Sequence, residues 1–241
     1  MLIENAMVLA AGLGTRLRPI TDTMPKPLVS VAGKPMIDHV LDLLNEAGIV
    51  TAVVNVHHFA DQMEQHLSGR TAPSILISDE RAALMNSGGG LAKGLTLLPP
   101  GPVLVMNADL FWINEPEDCS NLRRLTEAFD PERMDMLLLC VDLEQTTGHN
   151  GKRDFSLGSD GRLVRYADGM AEPVVYAGAI AMMSTLLEDA PQDAFNLNIY
   201  FDRAAAAGRL FGLKLDGDWI TVGTPDAIGE ADALFARSAK D

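Results

Sequence analysis

Long apolar runs, cysteine and excess positive charge are all scarce in this sequence, and each scarcity excludes a class of protein. No apolar run in the 241 residues approaches the roughly 20 residues that a membrane span needs. The two cysteines, Cys119 and Cys140, indicate neither a disulfide framework nor a zinc site. The formal net charge of −14 argues against a general nucleic-acid binder, which needs a basic surface.

The amino-terminal segment also lacks the basic region with which a secretory signal begins. It reads MLIENAMVLAAG, with Glu4 ahead of its apolar stretch, which predicts a buried strand and no signal peptide. Hydrophobic residues make up 47% and charged residues 22% of the chain, as in ordinary globular proteins. We therefore expect a cytoplasmic protein that is long enough to bury a sizeable core.

The few basic residues are unevenly spread. Residues 16 to 34 contain Arg16, Arg18, Lys26 and Lys34 against a single acid, Asp22. A basic island in an acidic protein suits a small polyphosphate ligand, although long basic side chains can also simply cover the protein surface. Charge alone leaves both interpretations open.

Short apolar runs alternate with helical patterns, most regularly in the first 110 residues. Met36, Val40 and Leu44, for example, recur at helical spacing between Pro35 and Gly48. Buried strands separated by helices predict a single α/β domain with a mainly parallel sheet and helices on both faces. The predicted strands are residues 6–10, 49–56, 74–78, 103–106, 136–141, 155–157, 163–166, 174–183 and 210–215; the predicted helices are residues 36–47, 59–67, 91–98, 199–207 and 225–236.

A loop rich in glycine, proline and basic residues follows the first predicted strand. Gly12 and Gly14 allow tight turns and leave backbone N–H groups free for phosphate oxygens. Arg16 follows them, where a guanidinium can neutralise a transferring phosphoryl group. Lys26 lies between two prolines, which restrict the backbone and help to aim its ammonium group. The segment thus predicts a phosphate site.

Two commoner phosphate motifs do not fit this loop. A dinucleotide fingerprint needs a third Gly or Ala at position 17, where the chain has Leu17. No GxxxxGK[ST] run occurs, which excludes a Walker-type ATPase. The stretch from Leu9 to Leu28 instead resembles the signature LAAGxGTRLxPLT followed by PKPL of the sugar-1-phosphate nucleotidyltransferases, with Ile20 in place of the usual Leu.

Further segments resemble motifs of that family in the same order, over about residues 6 to 236. The resemblance implies a Rossmann-like fold of the nucleotide-diphospho-sugar transferase type, with a nucleotide-binding half at about 1–110 and a sugar-binding half at about 111–241. The matching segments are GKPMI at 33–37, SGGG at 87–90, NAD at 107–109, YAG at 176–178 and WITVGT at 219–224. The residues implied as catalytic are Arg16, Lys26 and Asp109, with Asp109 also binding Mg²⁺; those implied in nucleotide binding are Leu9, Ala10, Ala11, Gly12, Gly14, Thr15, Gly88, Gly89 and Asn107; those implied in sugar binding are Asp154, Gly178 and Asn196.

The reaction that the resemblance implies transfers the nucleotidyl group of a nucleoside triphosphate to a sugar 1-phosphate and releases pyrophosphate. A phosphate oxygen of the sugar attacks the α-phosphorus, and positioning and charge neutralisation dominate catalysis because both reactants are anionic. Asp109 offers the hard oxygen ligand that Mg²⁺ prefers. Taken alone, an aspartate after a strand is as often a helix cap or a turn residue.

Position 221 departs from the family pattern. The family's WxDxGT segment has a second metal-binding aspartate where this chain has Thr221, a neutral and weaker ligand. Asp216, Asp218 or Asp226 can compensate, and catalysis through Asp109 alone is a further alternative. So is a paralogue that binds nucleotide sugars without making them.

Among compact members of the family, the chain most resembles those that transfer the uridylyl group of UTP to N-acetylmuramic acid 1-phosphate in cell-wall recycling. The triple glycine at 88–90 and the segment Gly151–Phe155 carry this resemblance. Asn196 stands where that subgroup often has lysine. Because the acceptor sugar carries a lactyl carboxylate, we expect cation or amide donors in its pocket, for which Lys152, Arg153, Asn196 and Asn198 are candidates. A solvated polar loop is an equally open interpretation of these residues. Mannose-1-phosphate guanylyltransferase is the alternative enzyme.

Overall fold

The computed structural model describes residues 2–117 and 120–238, so that Cys119 lies outside the described residues. No helix in these two ranges is both long and apolar enough to cross a membrane. The strands are β1 (Asn5–Leu9), β2 (Ser30–Val31), β3 (Lys34–Pro35), β4 (Thr51–Val56), β5 (Ser74–Asp79), β6 (Pro102–Asn107), β7 (Leu110–Ile113), β8 (Met136–Val141), β9 (Thr146–Thr147), β10 (Phe155–Leu157), β11 (Leu163–Arg165), β12 (Pro173–Met183), β13 (Leu210–Lys214) and β14 (Asp218–Thr221). The α-helices are α1 (Met36–Glu46), α2 (Ala60–Leu67), α3 (Asn86–Leu95), α4 (Asn121–Ala128), α5 (Asn198–Ala206) and α6 (Pro225–Ser238).

A central sheet with the strand order β5-β4-β1-β6-β12-β8-β13 organises the fold. β12 is antiparallel to both of its neighbours, and the remaining strands run in one direction. The β10–β11 hairpin extends the sheet by pairing with the start of β12. The expected α/β class with a mainly parallel sheet is confirmed, while the division into two functional halves stays a prediction.

Alternating side chains along β1 explain why both faces of the sheet are covered. Ala6 and Val8 belong to a buried cluster that includes apolar residues of α1, α2, α4 and α6. Met7, between them, belongs to a second cluster with residues of α3 and α5. Successive side chains of a strand point to opposite faces, so an all-apolar strand needs helices on both sides.

Two parts of the chain depart from the sequence-based expectation. The predicted helix 91–98 begins five residues earlier as α3, so the glycines at 88–90 lie within the helix. Glycine disfavours helix interiors, but tertiary contacts override that preference here: the N–H groups of Gly88 and Gly89 donate to the Phe195 carbonyl. Helix α4 and the small sheet β7-β14-β9 were not predicted.

Candidate active site

The carboxyl ends of β1, β4 and β6 meet at one edge of the sheet, where ligands bind in open α/β folds. At this edge the Ala10 N–H donates to Asn55 Oδ1 over 2.6 Å. Asn55 Nδ2 in turn donates to Glu80 Oε1 over 2.7 Å, and Glu80 Oε2 accepts from the Met85 N–H at 3.0 Å. Asn55 and Glu80 are buried and were not singled out in the sequence. This pair fixes the start of the glycine loop, residues 10–28, to β4.

The two glycines of the loop have different roles. Gly14 has φ +65°, and a methyl group added there would lie 2.9 Å from Lys26 Cβ and from Thr21 Cγ2. Thr21 Oγ1 also donates to the Gly14 carbonyl over 2.8 Å. Gly12 has neither a positive φ nor a neighbour within 4 Å of such a methyl group. The left-handed turn therefore falls at Gly14, and the role of Gly12 stays a prediction.

Lys26 and Asp109 form an ion pair across the mouth of the loop. Their side chains are 12% and 29% exposed, so the pair is partly withdrawn from water. Because the Lys26 ammonium group pairs with Asp109, the Asp109 carboxylate faces a position that a cation can occupy. Carboxylate oxygens are ligands that Mg²⁺ prefers. Within the described ranges, no group of three or more His, Cys, Asp and Glu side chains is arranged around a common metal position.

Arg16 lies against the backbone of the segment after β14. A methyl group added at Gly223 would lie 3.2 Å from Cζ and from both Nη atoms of Arg16. The guanidinium therefore rests on a peptide surface that only glycine provides. This contact explains why the glycine in the WITVGT segment matters to the site.

Three adjoining cavities open around Asn107. The glycine-loop cavity, about 510 Å³, is lined by the backbone of residues 9–12, Lys26 and Asp109 among others. The β14 cavity, about 540 Å³, includes Arg16, Asp109 and Asp154 in its lining. The hairpin cavity, about 230 Å³, is lined by Leu9, Asp154 and Asn196 among others. Asn107 lines all three cavities, and Asp109 lines the first two. Of the predicted site residues, these cavities bring together Leu9, Ala10, Ala11, Gly12, Arg16, Lys26, Asn107, Asp109, Asp154 and Asn196.

The remaining predicted residues do not line these cavities. Gly14 and Thr15 lie in the turn that leads to Arg16. Gly88 faces the Phe195 ring, and Gly89 lies beside the Asp193 carbonyl. Gly178, with φ +87°, lies in an irregular part of β12 against Leu110, where a larger residue would clash. The structure thus gives Gly88, Gly89 and Gly178 packing roles, and their ligand contacts stay predictions.

Only one of the three acids considered as a substitute at position 221 lines the site. Asp216 forms an ion pair with Arg124, and Asp218 Oδ2 accepts from Asn114 Nδ2 over 2.7 Å. Asp226, at the start of α6, lines the β14 cavity together with Thr221. Asp109, Thr221 and Asp226 therefore line one cavity.

The hairpin cavity contains a cation that the sequence analysis missed. Arg165, on β11, lines this cavity together with Asn196 and Asn198, whereas Lys152 and Arg153 are not in its lining. Arg153 lies over the Tyr166 ring instead. Both basic side chains are exposed, so for them the structure favours the other interpretation, a solvated polar loop. Arg165 lies opposite Phe155 in the β10–β11 hairpin, and this strand pairing places its side chain at the cavity. No short sequence motif reveals such a pairing.

Tyr176 lines both the β14 cavity and the hairpin cavity. Burial, followed by the nearby Cys140, Asp154 and Asp109 groups, raises the pKa of its hydroxyl. The phenol therefore stays neutral at physiological pH and cannot serve as a base. Its backbone N–H donates to Asp154 Oδ2 over 3.1 Å, which fixes the carboxylate between the two cavities.

Comparison with known proteins identifies the family of this chain. The nucleotidyl transferase family model matches residues 5–146, and the chain belongs to that family. N-acetylmuramate alpha-1-phosphate uridylyltransferase of Caulobacter vibrioides is 44% identical over 238 residues, which cover 97% of this chain and 97% of that protein. The protein of the same name from Neisseria meningitidis is 33% identical over 252 residues, covering 95% and 97%. A crystal structure of HddC from Yersinia pseudotuberculosis has a TM-score of 0.77 at 18% identity, covering 97% of this chain and 100% of HddC, which shows a shared fold.

These matches confirm the expected enzyme class. The protein is a sugar-1-phosphate nucleotidyltransferase, which forms a nucleotide sugar and releases pyrophosphate.

Proposed function

We propose that this protein transfers the uridylyl group of UTP to N-acetylmuramic acid 1-phosphate. Both curated relatives described above carry the corresponding name and align along nearly the whole chain. The observation that carries the proposal is the junction of the cavities at Asn107 and Asp109. A nucleotide in one cavity and a sugar phosphate in the next meet at that carboxylate.

The glycine-loop cavity takes the nucleotide. Small side chains at Ala10 and Ala11 and the bare backbone of Gly12 allow a flat base and a ribose to approach closely. Lys26 and Arg16 lie on the two sides of Asp109 and supply the positive charge that a triphosphate needs. The β14 and hairpin cavities then take the phosphate and the ring of the acceptor, with Asp154 accepting hydrogen bonds from its hydroxyl or amide groups.

The chemistry needs no general base, because the attacking phosphate of the acceptor is already ionised. One of its oxygens forms a bond to the α-phosphorus of UTP, and the bond to the bridging oxygen of the β-phosphate breaks. The electron pair leaves with pyrophosphate. Arg16 stabilises the negative charge on the transition state and on the leaving group, and Lys26 holds the phosphates once they replace Asp109 as its partner.

Asp109 would hold Mg²⁺, with Thr221 and Asp226 in the lining of the same cavity. The ion would neutralise part of the phosphate charge. One or two carboxylates, with substrate phosphates and water, are the usual protein share of such a site. The donor set therefore fits Mg²⁺ although position 221 has lost its carboxylate.

We further propose that the reaction takes place in the cytoplasm, where UTP is available, and serves the recycling of cell-wall sugars. The product is then a UDP-activated sugar acid of the kind used for peptidoglycan precursors.

A nucleotide-by-sugar panel tests the proposal. UTP, GTP, dTTP and CTP are each combined with N-acetylmuramic acid 1-phosphate, N-acetylglucosamine 1-phosphate and mannose 1-phosphate, and pyrophosphate release is measured. We expect UTP with N-acetylmuramic acid 1-phosphate to give the highest kcat/KM. Preference for GTP with mannose 1-phosphate contradicts the proposal.

A second candidate function is to bind nucleotide sugars without making them. It is favoured by Thr221, which stands where the family has a metal-binding aspartate. Calorimetric titration with UTP and Mg²⁺ distinguishes the two, because tight binding without pyrophosphate release in any combination supports the binding protein. We expect both binding and release, since Asp109 lines both cavities, with Lys26 in the lining of one and Asp226 in that of the other.

A further inference from the structure

The hairpin cavity contains the Arg165 guanidinium, which catalysis at Asp109 does not require. Asp109 does not line this cavity. Asp109 is part of the lining of the other two cavities, and Arg165 is part of the hairpin lining. Asn107, Asp154 and Tyr176 line the passage between the β14 and hairpin cavities. An acceptor whose phosphate is near Asp109 therefore directs its far side toward Arg165.

The Arg165 side chain is held in a defined position. Its Nε donates to Asp202 Oδ1 and its Nη2 to Asn198 Oδ1, each over 2.7 Å. The guanidinium carbon lies 4.6 Å from the centre of the Phe155 ring and 5.9 Å from that of Phe201. Among the hydrogen bonds of the described residues, Arg165 Nη1 has no partner. A guanidinium ordered in advance loses little freedom when it binds an anion.

Amide groups extend this cationic end. Asn198 Nδ2 donates to Asn196 Oδ1 over 2.8 Å, and the Asn198 N–H donates to the same oxygen over 2.9 Å. The Asn196 oxygen is thereby occupied, which orients its Nδ2 donors away from Asn198. Asn196, Asn198 and Arg165 all line the cavity. The group they suit has several acceptor oxygens and negative charge, as a carboxylate has.

Two carboxylates nearby limit what else can bind. Asp202 contacts the Nε side of Arg165 and leaves the opposite edge of the guanidinium available. Asp154 accepts from the Tyr176 N–H and repels an anion at the middle of the passage. Negative charge on the acceptor is therefore tolerated at its two ends. The phosphate end meets Arg16 and Lys26, and the opposite end meets Arg165.

We propose that Arg165 is a specificity-determining residue that binds a carboxylate substituent of the acceptor sugar, at the end remote from its phosphate. In N-acetylmuramic acid 1-phosphate this substituent is the lactyl ether, so the inference rests on the proposed function. It goes further by assigning the selection of the acid over the corresponding neutral sugar to one side chain.

The test compares two acceptors that differ only in the lactyl group. With UTP saturating, kcat/KM is measured for N-acetylmuramic acid 1-phosphate and for N-acetylglucosamine 1-phosphate, in the wild type and in Arg165→Gln. We expect the value for the acid to fall by about 10- to 100-fold, as loss of a charge-assisted hydrogen-bond pair implies. The value for the neutral sugar is expected to change less than about threefold. The ratio of the two values does not depend on how much of the variant is folded.

Two further variants sharpen the result. Arg162→Gln is the matched control: Arg162 lies beside the same hairpin but pairs with Asp160 and the Gly208 carbonyl, away from the cavity. It should leave the ratio unchanged. Arg165→Lys keeps the charge without the forked donors and should restore part of the preference.

The outcomes separate the two claims. An equal fall for both acceptors, or no fall for either, overturns the role of Arg165 while pyrophosphate release by the wild type still supports the proposed function. A wild type that does not use N-acetylmuramic acid 1-phosphate with any nucleotide overturns both.

Discussion

Gly90 in α3 leaves room for the buried pair that anchors the glycine loop, and replacing it with alanine should break that pair. A methyl group at position 90 would lie 2.6 Å from Glu80 Oε1 and 2.7 Å from Asn55 Nδ2. Neither atom can move freely, because Glu80 is 0% and Asn55 3% exposed. The hydrogen bond between them and the one from the Ala10 N–H to Asn55 are both put at risk.

The expected change in the free energy of unfolding combines two destabilising terms and one stabilising term. Overpacking a buried site costs about 1–3 kcal/mol. Loss of a buried hydrogen bond to a charged group costs a further ~1.5–3 kcal/mol. Replacing glycine by alanine within a helix recovers about 1 kcal/mol. We therefore expect Gly90→Ala to lower the free energy of unfolding by roughly 2–5 kcal/mol.

Urea denaturation followed by circular dichroism measures this change. Gly229→Ala is the matched control, since Gly229 is also helical, in α6, and nothing lies within 4 Å of the added methyl group. That variant should gain about 0.5–1 kcal/mol. A Gly90→Ala variant as stable as Gly229→Ala would refute the role assigned to the pair.

Three other perturbations address the chemistry and the core. Arg16→Ala and Asp109→Asn should each lower kcat by about 100-fold or more in a pyrophosphate-release assay, and near-normal turnover by both would remove them from the mechanism. Asp226→Asn should weaken Mn²⁺ binding to the UTP complex, measured by electron paramagnetic resonance, whereas Asp218→Asn, outside the cavity, should not; equal effects of the two contradict a metal role for Asp226. Burial lowers the pKa of His39, which stacks on Phe111, so protonation favours the unfolded chain and stability should fall as the pH drops below about 6.5. In urea titrations at several pH values, His39→Phe should show a shallower fall than the wild type, and an unchanged slope would assign the acid sensitivity to other groups.

The sequence predicted the parts of this protein that depend on local patterns. Buried parallel strands such as Val103–Met106 are short continuous apolar runs, and those runs marked each strand of the central sheet. The signature at residues 9–28 likewise identified the family, because the glycine loop is continuous in the chain.

The parts that were missed depend on contacts between distant segments. Ala10 and Asn55 are 45 residues apart, and Asn55 and Glu80 are 25 apart, so no local motif contains them. Arg165 reaches the site only because β11 pairs with β10 beside Asp154. The helical start of α3 was misjudged because glycine propensity opposed it. The Phe195 carbonyl, 107 residues beyond Gly88 in the chain, stabilises it.

A crystal structure with Mg²⁺ and a non-hydrolysable UTP analogue tests the central claim most directly. The account predicts the triphosphate in the glycine-loop cavity, touching the backbone of Gly12 and the side chains of Arg16 and Lys26, with Lys26 released from Asp109. A larger cavity of about 780 Å³ lies between α3 and residues 184–192, away from all of these groups. Finding the triphosphate there would contradict the account.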